Sequence, residues 1–574
     1  MTMYSEYEIT QMPLALKSCR TRVERFLAEN ELRLDDVDYY AVVTRLGDDT
    51  ILAGGGLSKD IIKCIAVDDS LRGTGMSQRL VSHLLSMAGE NGYRNVKVYT
   101  KPTNVEIFTS MAFRQLAASP LAVLMENGLG GLSTYCNYLN RLKRDGHNGV
   151  IVMNCNPLTL GHRYLVEQAA QRVDNLYVII VNEDLSLFGT RQRTEMARKA
   201  CEDLPNVTVC NGSDYTISAL TFPTYFLKQL SDASDTHMTL DIDLFVRHIA
   251  PALGATVRFA GTEPHDALTC RYNELMKELL PCRGIEVVEI ERKTQDGAAI
   301  SASKVRQLLE QEELREAVAL VPATTIPYVV SKQAVMSLKK ELATTPKPGL
   351  VDHADNGAHQ DMDYALMLAS IDALEPYFDL LAQHGFDNDE PDAQVIRQIG
   401  IDAEAAMLKA TRGVNTHRGA LFSMGLAIVA AAQSLRSGKD WAEVVKAIAA
   451  QIPTGHNSNG AKAREQYKAK GALDLAREGY SELTNSWLPA YRNASADAEL
   501  KTLLLIMSQL DDTNVIHRVG YDKAQQVKRD AKEIYENFNL IKVEELNRRF
   551  NRENISPGGA ADMLALTFFI NAIK

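Results

Sequence analysis

The chain has 574 residues, 45% of them hydrophobic and 24% charged, with 73 acidic against 62 basic side chains and a net charge of −11. That length leaves room for about three to five domains, the composition is that of an ordinary soluble globular protein, and the acidic excess disfavours a general nucleic-acid binder. The start, MTMYSEYEIT, lacks the basic region and apolar core of a signal peptide, and the longest apolar run, Gly419 to Leu435, carries Ser423 and Gln433 and reads as a buried helix, not a membrane span.

Residues 1 to about 135 read as an α/β unit. Tyr39–Arg45, Ile51–Leu57, Ile61–Val67 and Val96–Thr100 carry strand patterns, and Ser77 to Ala88 is helical. Between the third strand and that helix lies Arg72-Gly73-Thr74-Gly75. Glycines there permit a tight turn whose backbone N–H groups bind an anion, and Arg72 adds a cation. The segment resembles the GNAT-type acetyltransferase fold, in which such a loop holds the pyrophosphate of coenzyme A. The resemblance implies coenzyme A or pantetheine binding by Arg72, Gly73 and Gly75, and it fixes no general base.

The central unit, residues 145–325, opens with GVIVMNCNPLTLGHRYLVEQ. A β-branched run, a turn at Asn154 to Pro157, and a helix opened by Thr159-Leu160-Gly161-His162 make strand, turn, helix. Unpaired helix N–H groups and the positive end of the dipole then point at the sheet edge, where phosphate binds. Thr159 and His162 are one turn apart, and Gly161 lets the backbone approach. Later, Ile300-Ser301-Ala302-Ser303-Lys304-Val305-Arg306 makes a second helix start with hydroxyls and two cations. Strands at Leu176–Val181, Val207–Cys210, Val257–Ala260 and Ile285–Ile290 alternate with helices, giving a doubly wound, Rossmann-like sheet. Gly261-Thr262-Glu263-Pro264 and Arg271-Tyr272-Asn273 are further candidates for the site's lining.

The two loops resemble the (His/Thr)-x-Gly-His nucleotidyltransferase signature and its partner segment. With the preceding domain, residues 1 to 325 resemble the citrate lyase ligase family. The resemblance implies ATP-dependent activation of acetate to acetyl-adenylate, followed by acetylation of the prosthetic-group thiol on the acyl carrier subunit of citrate lyase. Thr159, His162, Lys304 and Arg306 are then the catalytic candidates, with Asn154, Gly161, Ser301 and Ser303 on the ATP phosphates. Adenylyl transfer needs a positioned carboxylate and a neutralised pyrophosphate; Thr159, His162, Lys304 and Arg306, with Mg²⁺, are expected to supply the second. One alternative is a coenzyme A-dependent N-acetyltransferase fused to a dinucleotide-forming adenylyltransferase; another is a binding protein whose acetyltransferase-like domain merely docks a carrier.

Two prolines near Val321 to Pro327 mark a boundary. Residues 330–574 read as an all-α domain, with helical patterns at Asp363–Leu374, Ala403–Ala410, Trp441–Ile452, Leu500–Leu510 and Ala560–Ile570. TPKPGLVD, NGAHQDMD, GVNTHRGA, DDTN and NISPGGAAD bunch acidic residues beside histidines and glycine turns, as a Mg²⁺-bound polyphosphate requires. These motifs resemble triphosphoribosyl-dephospho-coenzyme A synthase. The implied reaction joins ribose C1 of ATP to the 2′-hydroxyl of dephospho-coenzyme A and releases adenine. Asp361, Asp363, Asp511 and Asp512 are candidates for catalysis and metal ligation; Lys347, His359, Asn415, His417 and Arg418 for phosphate. The expected partners are the carrier subunit, acetate and dephospho-coenzyme A, with no nucleic acid and no membrane. All eight cysteines lie between Cys19 and Cys282 without a CxxC pair, which fits free thiols in a reducing cytoplasm and no zinc site.

Overall fold

The computed structural model describes residues 6–182, 186–215, 232–263, 266–295, 297–453, 466–494 and 496–574; Pro264 of the GTEP run lies outside them. The chain divides into two compact units, Met1–Asn154 with Gly161–Ala299, and Cys155–Leu160 with Ile300–Lys574.

The first unit holds two sheets. One has seven strands: β1 (Tyr7–Gln11), β2 (Tyr39–Arg45), β3 (Ile51–Ser58), β4 (Ile61–Val67), β5 (Val96–Thr100), β6 (Arg114–Ala118) and β7 (Val123–Asn127), in the order β1-β2-β3-β4-β5-β7-β6. All neighbours are antiparallel except β4 and β5, which run parallel and pair only at Ile61 with Lys97 and Ile62 with Val98. Beyond those pairs the two strands continue to Val67 and Thr100 without a ladder. A cleft of about 520 Å³ is lined there by Ala66, Val67, Arg72, Gly73 and Thr100, with helix Met76–Glu90 beside it through Ser77.

The second sheet has five strands: β8 (Asn148–Met153), β9 (Asn175–Ile180), β10 (Val207–Asn211), β11 (Ala255–Gly261) and β12 (Glu286–Ile290), all parallel, in the order β10-β9-β8-β11-β12. Every residue of β9 is buried, as expected of a parallel strand covered on both faces. Winding reverses between β8 and β11, and the crevice beyond the carboxyl ends of such strands is where open α/β sheets bind ligands. The sequence separates 1–135 from 145–325, but their packing is joint. One buried cluster runs from Val42, Leu116 and Leu124 to Val150, Tyr177 and Ile179, with Leu132 and Leu139 of helix Gly131–Leu142 between them. At the β6 edge, the Ala118 N–H donates to Asp243 at 2.8 Å and His248 pairs with the Leu116 carbonyl at 2.9 Å.

The second unit is helical. Helix Arg418–Ser437 packs against Tyr364–Asp387 and Gly558–Ile573, and helix Ile326–Ala343 packs on the same two. Arg418–Ser437 is long and apolar enough to cross a membrane by length and composition, yet 78% of its apolar window is buried, and Ser423 and Gln433 lie inside with it. Residues 300–325 belong to this unit, whereas the sequence ends the central domain at 325. The reason is a polar seam: Glu312 accepts from Lys340 at 2.5 Å and Asn571 at 2.6 Å, and Arg315 donates to the Ile573 carbonyl.

Candidate functional site

In the first unit, strand β8 delivers Asn154 to the carboxyl edge of the sheet. Its carbonyl and side-chain oxygens accept from Arg193 at 2.8 and 2.7 Å. Arg193 is fully buried and also donates to the carbonyls of Val181 and Phe188, at 2.7 and 2.9 Å. One guanidinium therefore ties together the ends of β8 and β9 and the start of helix Thr190–Ala200. Nothing in TRQRTEMARKA separates this arginine from its three basic neighbours.

Gly161 and His162 occupy the first turn of helix Leu160–Ala170. Burial and the Arg292 charge push the His162 imidazole down to about 4, so it is neutral near pH 7. Arg292 clamps the β11 turn, donating to the Thr262 carbonyl at 2.7 Å and pairing with Glu263. Asn273 holds the Gly261 carbonyl at 3.0 Å. Arg271 is instead paired with Asp235 on the surface, and Tyr272 donates to Asp241 at 2.6 Å.

In the second unit, loop Cys155–Leu160 meets the ISASKVR helix, Ala302–Glu310. Arg306 donates to the Asn156 carbonyl at 2.5 Å and to Ser303 Oγ at 3.0 Å. Ser301 is the helix cap, accepting from the Lys304 N–H at 3.1 Å. Thr159 is buried and Lys304 is exposed. The Thr159 loop and the Arg306 segment are therefore in direct contact.

The helical half encloses a cavity of about 230 Å³. Five expected residues line it: Lys347, His359, Asn415, His417 and Arg418. Lys347 is buried and paired with Glu341, a carboxylate the sequence reading missed. His359 bonds Ser556 at 2.8 Å and lies 3.3 Å from Arg518. His417 Nδ1 is 2.8 Å from Ser370 Oγ, which fixes the ring, while its buried Nε2 has no partner among the described residues and the residue lines the cavity.

The four aspartates expected as metal ligands are not gathered. Asp361 is exposed, 3.8 Å from His359. Asp363 caps helix Tyr364–Asp387 through the Leu366 N–H. Asp511 pairs with Lys528 at 2.8 Å. Asp512 is a buried cap, accepting from Asn514 and Ala560 N–H groups at 2.9 and 3.0 Å, and burial raises its carboxyl to about 6. Backbone capping claims Asp363 and Asp512, as it commonly does for aspartate beside a helix start. Among the described residues no three His, Cys, Asp or Glu side chains gather as a metal site.

The cavity's carboxyls are Glu341 and Asp562. Burial and the nearby Asp512 and Glu341 charges push Asp562 well above the ordinary carboxylate range, and it accepts from the Ala420 N–H. A Cβ on Gly419 would sit 2.0 Å from Asp562 Oδ2. Gly419→Ala is therefore expected to displace that carboxyl, costing about 1–3 kcal/mol of stability by overpacking. Thermal melting and adenine release measured together check this, since both must fall.

His417 makes a pH signature. Burial and the Lys347 charge hold it at about 4, below the ordinary value of about 6.5. The unfolded chain takes up a proton that the folded chain refuses, so stability is full above about 6.5 and is lost as pH falls toward 4. The expected loss is about 2 kcal/mol between pH 7 and pH 5. Asp512 contributes with the opposite sign, so the comparison is the pH dependence of Tm in wild type against His417→Gln; equal slopes would contradict the assignment.

Residues 148–329 match the family described as citrate lyase ligase C-terminal domain, and residues 327–574 match ATP:dephospho-CoA triphosphoribosyl transferase. The chain is 41% identical to [citrate [pro-3S]-lyase] ligase of Haemophilus influenzae over 54% of this chain and 94% of that one. The Escherichia coli protein of the same name is 40% identical over 54% and 89%. A probable 2-(5''-triphosphoribosyl)-3'-dephosphocoenzyme-A synthase of Azotobacter vinelandii is 34% identical over 45% of this chain and 95% of its own length. The chain thus belongs to two enzyme families at once, the citrate lyase ligases through its first half and the triphosphoribosyl-dephospho-coenzyme A synthases through its second.

Proposed function

We propose that the chain is a bifunctional enzyme of citrate lyase maturation. Its first half forms acetyl-adenylate from ATP and acetate, then acetylates the prosthetic-group thiol of the acyl carrier subunit. Its second half makes triphosphoribosyl-dephospho-coenzyme A and releases adenine. The observation that carries this is the pairing of two sites in one chain. One is the Asn154–Arg193 carboxyl edge of a parallel sheet with its switch point at β8/β11; the other is a helical cavity combining Lys347, His417 and Arg418 with two carboxyls.

Thr159, Gly161, His162, Ser301, Ser303, Lys304 and Arg306 serve the ATP phosphates. Acetate attacks the α-phosphorus, so the chain's task is to position it and to neutralise departing pyrophosphate. Asn154 and Arg193 hold the turn in shape. Mg²⁺ accompanying ATP would be held chiefly by phosphate and water, since magnesium uses few protein ligands, and would add positive charge at the departing pyrophosphate.

In the helical half, Arg418, Lys347, Asn415 and His359 bind the triphosphate. Glycosyl transfer uses a pair of carboxyls, one to protonate the leaving group and one to take the proton of the attacking hydroxyl. Asp562, whose surroundings favour its protonated form, is the acid for adenine, and Glu341 is the base. The test is chromatographic: with ATP and dephospho-coenzyme A, free adenine and a triphosphate-bearing product must appear in equal amounts. ADP or AMP in their place would refute this half.

The cleft where β4 and β5 part serves the carrier's pantetheine arm. Gly73 and Gly75 have φ of +75° and +83°, a left-handed turn that costs other residues about 1–2 kcal/mol each, and Arg72 stands at its mouth, paired with Asp69 at 2.7 Å. Arg72→Ala with Gly75→Val is expected to lower thiol acetylation about tenfold, the equivalent of one lost charge-assisted contact, while acetyl-adenylate formation is retained. Equal falls in both steps would refute the division of labour.

A further inference from the structure

Arg258 lies in β11 beside the switch point, opposite Val150 of β8. It is 5% exposed, its guanidinium stacks 4.7 Å from the Phe245 ring, and its Nη1 has no hydrogen-bond partner among the described residues. Tyr272 and Asp241 offset part of the charge from one side. Leaving a buried guanidinium N–H unmade costs about 1–3 kcal/mol, so the position demands an acceptor.

A cavity lies against this side chain. It is lined by Arg258, Val152, Ile179, Tyr135, Tyr215 and Phe245, among others, and measures about 30 Å³. By the rule that a water needs roughly 10–15 Å³ of such space, it admits about two water-sized groups, enough for a two-carbon acid and too little for a sugar or a base. Val152 and Ile179 are the penultimate residues of β8 and β9, so the cavity sits at the carboxyl edge of the sheet, on the face where Arg258 points. One end offers a cationic donor; the Asp241 carboxylate also lines the cavity but accepts from Tyr272 at 2.6 Å, and apart from Ser213 the remaining walls offer aliphatic and aromatic side chains. That is the outline of a short carboxylate, charged at one end and apolar at the other.

We propose that this cavity is the acetate subsite of the ligase half, with the carboxylate on Arg258 Nη1 and the methyl group between Val152, Ile179 and Phe245. This rests on the first half being an acetate-activating ligase. In the step it serves, a carboxylate oxygen bonds to the α-phosphorus of ATP as the bond to the pyrophosphate oxygen breaks, and that electron pair leaves with pyrophosphate. Cavity size then sets specificity, because one extra methylene has no room.

The experiment is acetate-dependent exchange of labelled pyrophosphate into ATP by the full chain, with acetate and ATP titrated separately. If the wild type shows no exchange, the ligase reading fails and this inference falls with it. Given wild-type exchange, Arg258→Gln is expected to raise KM for acetate by about 10- to 100-fold, the loss of one charge-assisted hydrogen bond, with KM for ATP nearly unchanged. Unchanged acetate KM, or equal rises in both constants, overturns the assignment and leaves a structural cavity. Phe245→Leu is the second arm and decides alone if Arg258→Gln does not fold. It is expected to raise propionate use relative to acetate about tenfold, since a methylene is worth about 1–3 kcal/mol in such a pocket. An unchanged ratio overturns the proposal.

Discussion

Asp562→Asn is expected to cut adenine release from ATP and dephospho-coenzyme A by roughly 10²- to 10⁴-fold, the usual worth of a general acid. Asparagine keeps the shape and the acceptor for the Ala420 N–H, but it has no proton to give departing adenine. The effect belongs in kcat, because a merely structural role would appear as lost folding or a raised KM for ATP. Asp562 sits below Gly419, with Asp512 and Glu341 raising it together. Burial raises both cavity carboxyls, Asp562 well above the ordinary range, while the Lys347 charge opposes the rise at Glu341; an acid and a base in one desolvated cavity are set by such differences in surroundings. Asp512→Ala makes the contrast: it removes a cap, costing about 1 kcal/mol of stability and lowering Tm, without a comparable loss in turnover of folded enzyme. Equal kinetic losses in the two variants would remove Asp562 from the acid's role.

His162→Ala is expected to lower acetate-dependent pyrophosphate exchange by about 10²- to 10³-fold, the range for losing one preorganised donor at a developing charge. With its imidazole held at about 4, His162 acts as a neutral N–H donor, so the exchange rate must show no acid limb from this group between pH 5 and pH 8. A fall in rate as pH rises through about 6.5 that disappears in the variant would mean that a cationic imidazole is required. Arg306 tests the neighbouring segment. Its bonds to the Asn156 carbonyl and Ser303 use a planar fork that lysine does not reproduce. Arg306→Lys is therefore expected to lower exchange although the charge is kept.

The local features of this chain were readable before its structure. Strand, turn and helix around Asn154 to His162 follow from a β-branched run, a proline and a glycine, all within twenty residues of sequence. Four named strands of the first sheet stand within a residue of their expected limits, and Lys347, His359, Asn415, His417 and Arg418 share a cavity. What stayed hidden depends on distant partners. β1, β6 and β7 are short and gain their place by pairing with remote strands. Glu341, in the run KKEL, reads as a solvated helix acid, yet it is buried against Lys347 six residues on. Arg193 and Arg258 look like ordinary charges on a helix and a strand until their burial is known. Asp363 and Asp512 misled in the other direction, because an acid beside a glycine turn serves as readily as a helix cap as it does a metal.

The most direct test is the fate of adenine-labelled ATP given to the full chain with acetate and dephospho-coenzyme A together. Two labelled products are expected: acetyl-adenylate or AMP from the sheet site, and free adenine from the helical cavity. His162→Ala should remove only the first and Asp562→Asn only the second. A single labelled product, or two that vanish together in either variant, would contradict two independent ATP sites in one chain.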